Sequence, residues 1–153
     1  WVGVPYDIPI FIMQYRKDIY DQFGFKAPET LEEYYEQAKA IKGSRILVLG
    51  IAYKPNVDDL GESPAVELMQ LLSDRGARID YSDPHIPVFP PMRNYRFDLR
   101  SVPLSAETIA RYDLVLVATH HDAFDYELIR RHAKLIVDTR GVYKDPFPTL
   151  VKA

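Results

Sequence analysis

The run RILVLGIAY at residues 45–53 is apolar at nearly every position, and it narrows what this chain can fold into more than any other feature. A strand with one wet face alternates apolar and polar residues. A run without that alternation belongs to a strand covered on both sides, as in a parallel sheet. The residues that follow fit that setting. Ser63-Pro64 supplies an N-cap and then proline at the first helical position. Ala65, Leu68, Met69 and Leu72 fall on one helical face, which runs out near Gly76. Further strands are expected at 78–82, 113–119 and 134–138, and further helices at 105–112 and 125–133. Strands spaced by helices predict an α/β fold, a Rossmann-like parallel sheet with helices on both faces. Residues 84–103 hold five of the twelve prolines and read as a long irregular excursion containing a short strand at 95–99. The tail from Pro146 reads as loop.

Residues 1–43 form a separate stretch, read as a strand-helix-helix appendage to a domain at 44–153. Pro5 and Pro9 demote the strand within 4–15 to an edge or a crossing segment. Thr30-Leu31-Glu32-Glu33 is a capping box that opens a helix over 30–41, with Gly43 suited to the left-handed residue beyond its end. That helix is expected to pack Tyr34, Tyr35, Ala38 and Ile41 against the sheet. The strand is a candidate for pairing with a second chain, which would give a homodimer. The chain opens at Trp1 with neither an initiator Met nor a leader, as expected of a piece of a longer protein or a processed chain.

In an open parallel sheet, ligands sit beyond the carboxyl ends of the strands, where the strand order reverses. Three such ends are in view, at residues 50–54, 120–122 and 139–141. The first carries Gly50 alone and no G-x-G-x-x-G, so a dinucleotide cradle, and with it bound NAD, is not expected. It offers instead the aromatic face of Tyr53 and the cation of Lys54, while Arg140 offers a planar fork for phosphate or carbonyl oxygens. Asp83 reads as a strand-ending turn residue with Pro84. His120 and His121 are adjacent and should point to opposite sides, which suits a loop hydrogen bond for His121 better than a shared metal. No metal site and no catalytic residue is assigned. The absence of cysteine excludes disulfides, thiolate zinc, iron–sulfur clusters and a thiol nucleophile. A net charge of −3 with no basic block argues against nucleic-acid or anionic-membrane partners. The apolar stretches are strand-sized, too short to span a bilayer.

Four motifs in order, KGSRILVLGIAYKPNVDDLGESPAVELMQLL, YSDP, DLVLVATHHDAF and LIVDTRGVY, give residues 42–143 a resemblance to a known family. They resemble the C-terminal UDP-binding domain of the UDP-glucose/GDP-mannose 6-dehydrogenases. The resemblance implies that Tyr53, Lys54 and Arg140 meet UDP or a UDP-sugar. It also implies a parent enzyme that uses NAD and a catalytic cysteine, both carried upstream of this segment. This chain holds neither the glycine fingerprint nor a cysteine, so by itself it is expected to be a non-catalytic binding domain. One departure stands out: Gly61 occupies a position where the family usually has arginine, which removes a fork donor and is expected to loosen the loop.

Residues 2–41 resemble instead a fragment of an ABC-importer extracellular sugar-binding protein, through YRKD and PETLEEY. Two resemblances meeting at 40–44 without a linker suggest an engineered or recombined chimera. The alternatives are a designed fold with no ligand function, and a natural fragment or subunit of an NAD-dependent UDP-sugar dehydrogenase. The implied compartments conflict, cytoplasm for one parent and cell exterior for the other, so no localisation is assigned.

Overall fold

A computed structural model of the protein describes residues 42–152. The expected 4–15 strand, the 30–41 helix, its packing and any pairing through the N-terminal strand all lie outside the described residues. The described part contains strands β1 (Arg45–Leu49), β2 (Arg78–Ser82), β3 (Leu114–Val117), β4 (Ile136–Asp138) and β5 (Leu150–Lys152). Its helices are α1 (Pro64–Asp74), α2 (Ala106–Ala110) and α3 (Tyr126–His132). The strands form one sheet in the order β2-β1-β3-β4-β5, parallel throughout. The chain winds outward from β1 to β2 and then returns past β1 to β3. The strand order therefore reverses between β1 and β3.

The unalternating run at 46–49 does what its composition requires. Ile46 and Val48 pack on one face of the sheet with Ala65, Val66 and Met69 of α1. Leu47 and Leu49 pack on the other with Ile109 of α2 and Ile129 of α3. These four of the five β1 residues are buried, and burying each apolar side chain contributes about 1.5–3 kcal/mol. Each helix begins on a side-chain cap. The Ser63 hydroxyl accepts from Ala65 N–H, Ser105 from Thr108 N–H, and the Asp125 carboxylate from Leu128 N–H. The entry to β1 is fixed beside β2, where Gly43 N–H donates to Gly76 O and Arg78 N–H to Ser44 O, both at 2.8 Å. Gly43 is left-handed, with φ +81.

Two expectations are corrected. The tail is not all loop, because Leu150–Lys152 adds β5 beside β4, with Val151 buried. Three residues behind Pro146 and Pro148 carry too little periodicity to show a strand, and the existing edge of β4 supplies the pairing. Residues 95–99 form no strand. The excursion meets the sheet at Tyr81, through a bridge to Ser101 and a bond from Val102 N–H to Tyr81 O at 2.8 Å, and folds back on itself through a bridge between Val88 and Arg100. Its prolines deny it the N–H groups of a continuous ladder, and isolated bonds such as Phe89 N–H to Leu99 O and Ser101 N–H to Pro87 O, both at 3.0 Å, hold it together with aromatic packing. Phe89 lies edge-on to Phe97 at 5.2 Å and to Tyr81 at 6.3 Å, over the α1 face of the sheet.

β1 ends at Gly50, which has φ +73 and donates its N–H to Ser82 O at 2.9 Å. A Cβ at this position would lie 2.2 Å from the Thr119 carbonyl oxygen. Backbone strain and a backbone clash coincide there, so Gly50→Ala should cost about 3 kcal/mol. Urea unfolding monitored by circular dichroism checks this; an unchanged midpoint would show that the turn can relax.

Candidate functional site

The β1–α1 loop, residues 50–63, leaves the sheet at the reversal of strand order and is fastened from below by Asp83. This carboxylate is buried at the end of β2. Its Oδ2 accepts from Ile51 N–H at 2.8 Å and Ala52 N–H at 3.2 Å, and lies 3.0 Å from His121 Nε2. Its Oδ1 accepts from His85 N–H at 2.8 Å, the turn interaction expected from Asp83-Pro84. His121 is buried and its other ring nitrogen, Nδ1, accepts from Asn56 N–H at 2.9 Å. With Nδ1 an acceptor, the network assigns the ring proton to Nε2, which donates it to Asp83. The histidine thus makes loop hydrogen bonds, and two of them. His120, its neighbour, faces the other way and is half-exposed.

The carbonyls of the same loop are taken as well. Ser63 Oγ donates to Ile51 O and Thr119 Oγ1 to Ala52 O, both at 2.7 Å. Tyr53 N–H donates to Asp59 O at 2.7 Å, closing the loop across its base. Gly61, expected to loosen this loop, sits in a local turn. Its N–H donates to the Asp59 carboxylate at 2.8 Å, a local turn that tolerates a residue without a side chain.

The three residues singled out for ligand contact lie at one edge of the sheet. Tyr53 and Lys54 stand exposed at the tip of the β1 loop, with Lys54 Nζ 5.4 Å from the Tyr53 ring centroid. Arg140 follows β4, and its Nε donates to Ala118 O at 2.5 Å, which lays the side chain across the end of β3. That point adjoins β1 directly, since Ala118 N–H donates to Leu49 O at 3.0 Å. Asp138 anchors the arginine's loop much as Asp83 anchors the other. Buried at the end of β4, it accepts Arg140 N–H on one oxygen and Tyr143 N–H on the other, both at 2.9 Å.

An aromatic tier supports the edge from the α2/α3 face. The Tyr126 hydroxyl accepts from His121 N–H and donates to His121 O, both at 3.1 Å, and Tyr143 donates its hydroxyl to Tyr126 O at 2.8 Å. Burial is the main cause that pushes the Tyr126 phenol up to about 12, so it stays protonated and available as a donor. The sequence singled out neither this tier nor Asn56, whose side chain also reaches Asp122. Asn56 and Asp122, 66 residues apart, become neighbours only through the strand order, whereas Tyr126 is five residues from His121.

Burial alone would raise the Asp83 carboxyl pKa. The hydrogen bonds from His121, His85 N–H and Ile51 N–H outweigh burial and hold it below the ordinary 3.8. A carboxylate with a depressed folded-state pKa contributes stability above its unfolded value, and this is lost as pH falls through the folded value. Stability should therefore fall below about pH 3.8 as Asp83 takes up a proton. Asp83→Asn should cost about 3 kcal/mol at neutral pH and flatten that acid limb. Melting temperatures between pH 7 and 2.5 measure both effects; an acid limb equally steep in the variant would assign the loss to other groups.

Among the described residues, no helix is long and apolar enough to cross a membrane. Known proteins match the chain over this same region. The UDP-glucose/GDP-mannose dehydrogenase family, UDP binding domain, matches residues 47–145. UDP-glucose 6-dehydrogenase of Rhizobium meliloti is 34% identical over 112 residues, 68% of this chain and 24% of the relative. UDP-N-acetyl-D-mannosamine dehydrogenase of Methanococcus maripaludis (strain C7) is 35% identical over 112 residues, 67% of this chain and 24% of the relative. The chain thus spans about a quarter of the length of these relatives. The structure of UDP-D-ManNAc dehydrogenase from Pyrococcus horikoshii shares the fold with a TM-score of 0.55 at 24% identity, over 80% of this chain and 28% of that one. GDP-mannose dehydrogenase from Pseudomonas aeruginosa does so with a TM-score of 0.56 at 19% identity, over 93% of this chain and 37% of that one. The parallel sheet, its order and the motifs along its carboxyl edge agree with that match, and the chain belongs to the UDP-glucose/GDP-mannose dehydrogenase family, whose UDP binding domain it carries.

Proposed function

We propose that this chain is the nucleotide-holding part of an NAD-dependent UDP-sugar dehydrogenase, binding the UDP end of a UDP-sugar. The observation that carries the reading is the convergence of the Tyr53–Lys54 loop and the Arg140 loop on one edge, at the reversal of strand order, within the matched residues. In this reading Tyr53 offers a ring face, Lys54 a point charge for the diphosphate, and Arg140 the guanidinium nitrogens left beyond its bond to Ala118.

The residues present do not fit a dinucleotide. The turn after β1 has one glycine, and the cap of α1 is engaged, since Ser63 Oγ both accepts from Ala65 N–H and donates to Ile51 O. We therefore assign the oxidation, with its NAD and its nucleophile, to polypeptide beyond these 153 residues, and assign this chain no catalytic group. The family match and the relatives favour such a dehydrogenase segment over a chimera. They give the importer resemblance of residues 2–41 no support.

Titration of the 15N-labelled chain with UDP should shift the amides of Tyr53, Lys54 and Arg140. Lys54→Met should weaken UDP about tenfold through loss of a charge-assisted contact. An absence of shifts at millimolar UDP would overturn the reading. With UDP-glucose and NAD⁺ the chain alone should form no NADH above a protein-free blank; NADH scaling with protein concentration would place the chemistry here after all.

A further inference from the structure

Asn56 lies two residues beyond Lys54 and is held at three points. Its backbone N–H donates to His121 Nδ1 at 2.9 Å. Its Nδ2 donates to Asp122 Oδ2, and its Oδ1 accepts from Asp122 N–H, both at 2.9 Å. The backbone is left-handed, with φ +60. Few residues other than glycine enter that region, and asparagine is among those that do most readily. The position thus asks for two properties together. Glycine would accept the backbone but has no side chain to reach Asp122. Aspartate would accept the backbone but cannot donate to a carboxylate. Asparagine alone meets both demands.

The clamp crosses the reversal of strand order, joining the loop after β1 to the loop after β3, 66 residues apart in sequence. Between it and the sheet, Lys54 has little freedom. Tyr53 N–H is tied to Asp59 O, Ala52 is tied at both backbone groups, and Pro55 fixes its own φ while biasing Lys54 to extended backbone. We propose that Asn56 is a positioning residue for nucleotide binding: its clamp on Asp122 presets the backbone that carries Lys54, so that the lysine need not be ordered when the diphosphate arrives. This rests on the reading that Lys54 meets UDP. Pre-organisation of this kind raises affinity by removing an ordering cost, without any contact between Asn56 and the ligand.

The test uses the full 153-residue chain, with UDP as the probe and three variants. Asn56→Gly keeps the left-handed backbone and removes the clamp without changing charge. Asn56→Asp sets a carboxylate against Asp122. The double variant Asn56→Asp with Asp122→Asn restores a donor to that carboxylate and returns the net charge to its starting value. Calorimetry should show UDP weakened about tenfold by Asn56→Gly and at least as much by Asn56→Asp, with recovery to within about twofold in the double variant. Because the paired groups are exposed, the melting temperatures of all variants should stay close to that of the parent chain. The 15N order parameter of Lys54, measured without UDP, should fall in both single variants and recover in the double. Unchanged affinity and order in Asn56→Gly, or no recovery in the double variant, would overturn the proposal. If the parent chain binds no UDP, the nucleotide-binding reading falls and takes the affinity role of Asn56 with it, while the order parameters still decide whether the clamp orders the loop.

Discussion

The Asp83 carboxylate belongs to β2 by sequence, but half of its hydrogen bonds serve the strand beside it. By accepting Ile51 and Ala52 N–H, it fixes the direction in which the chain leaves β1, and through His121 it joins that exit to the end of β3. Two strands that diverge at a reversal of strand order leave a gap between their loops, with backbone donors that neither strand can satisfy. A buried carboxylate with several lone pairs fills that gap, and the donors around it keep it ionised. Gly50 is the geometric counterpart. Only a residue without a Cβ can turn there against the Thr119 carbonyl, so the strand end and its anchor depend on one another.

The rest of the edge repeats the arrangement with different residues. Asp138 gathers Arg140 and Tyr143 N–H as Asp83 gathers Ile51 and Ala52. The hydroxyls of Ser63, Thr119 and Thr139 cover the carbonyls of Ile51, Ala52 and Val117. These polar groups are thereby spent on one another, whereas the buried His85 Nε2, beside His121, has no hydrogen-bond partner among the described residues. Exposed at the rim, among the described residues, stand Tyr53 with Lys54 Nζ 5.4 Å from its ring centroid, and Arg140. This arrangement is in keeping with the proposed UDP role, in which long cationic and aromatic side chains would adapt to the ligand above a fixed backbone.

Much of this could be read along the chain because it is local. The unalternating run at 46–49, the cap at Ser63 and the apolar face of α1 each involve residues within a turn or two of one another. The aromatic–cation pair at Tyr53–Lys54 and the arginine after β4 could be placed once strand ends were located. The short β5 could not be placed, because the edge of β4, rather than its own three residues, makes it a strand. Nor could the partners of His121, since Asp83 is 38 residues away and Asn56 is 65, and only the order β2-β1-β3 brings them together. At Gly61 the sequence shows the missing side chain but not the turn around it. The Asp59 carboxylate accepts from its backbone N–H, a bond that does not depend on which side chain stands at 61.

Native-state hydrogen exchange of the Ile51 and Ala52 amides tests the central claim, that a buried carboxylate by itself holds the loop after β1 in its final shape. If Asp83 anchors the loop, these two amides, though outside every strand, should exchange as slowly as Leu47 and Val48 in the middle of β1, opening only with global unfolding. Exchange as fast as that of an exposed loop amide would show that the edge opens independently of the sheet, and that its order must come from somewhere other than Asp83.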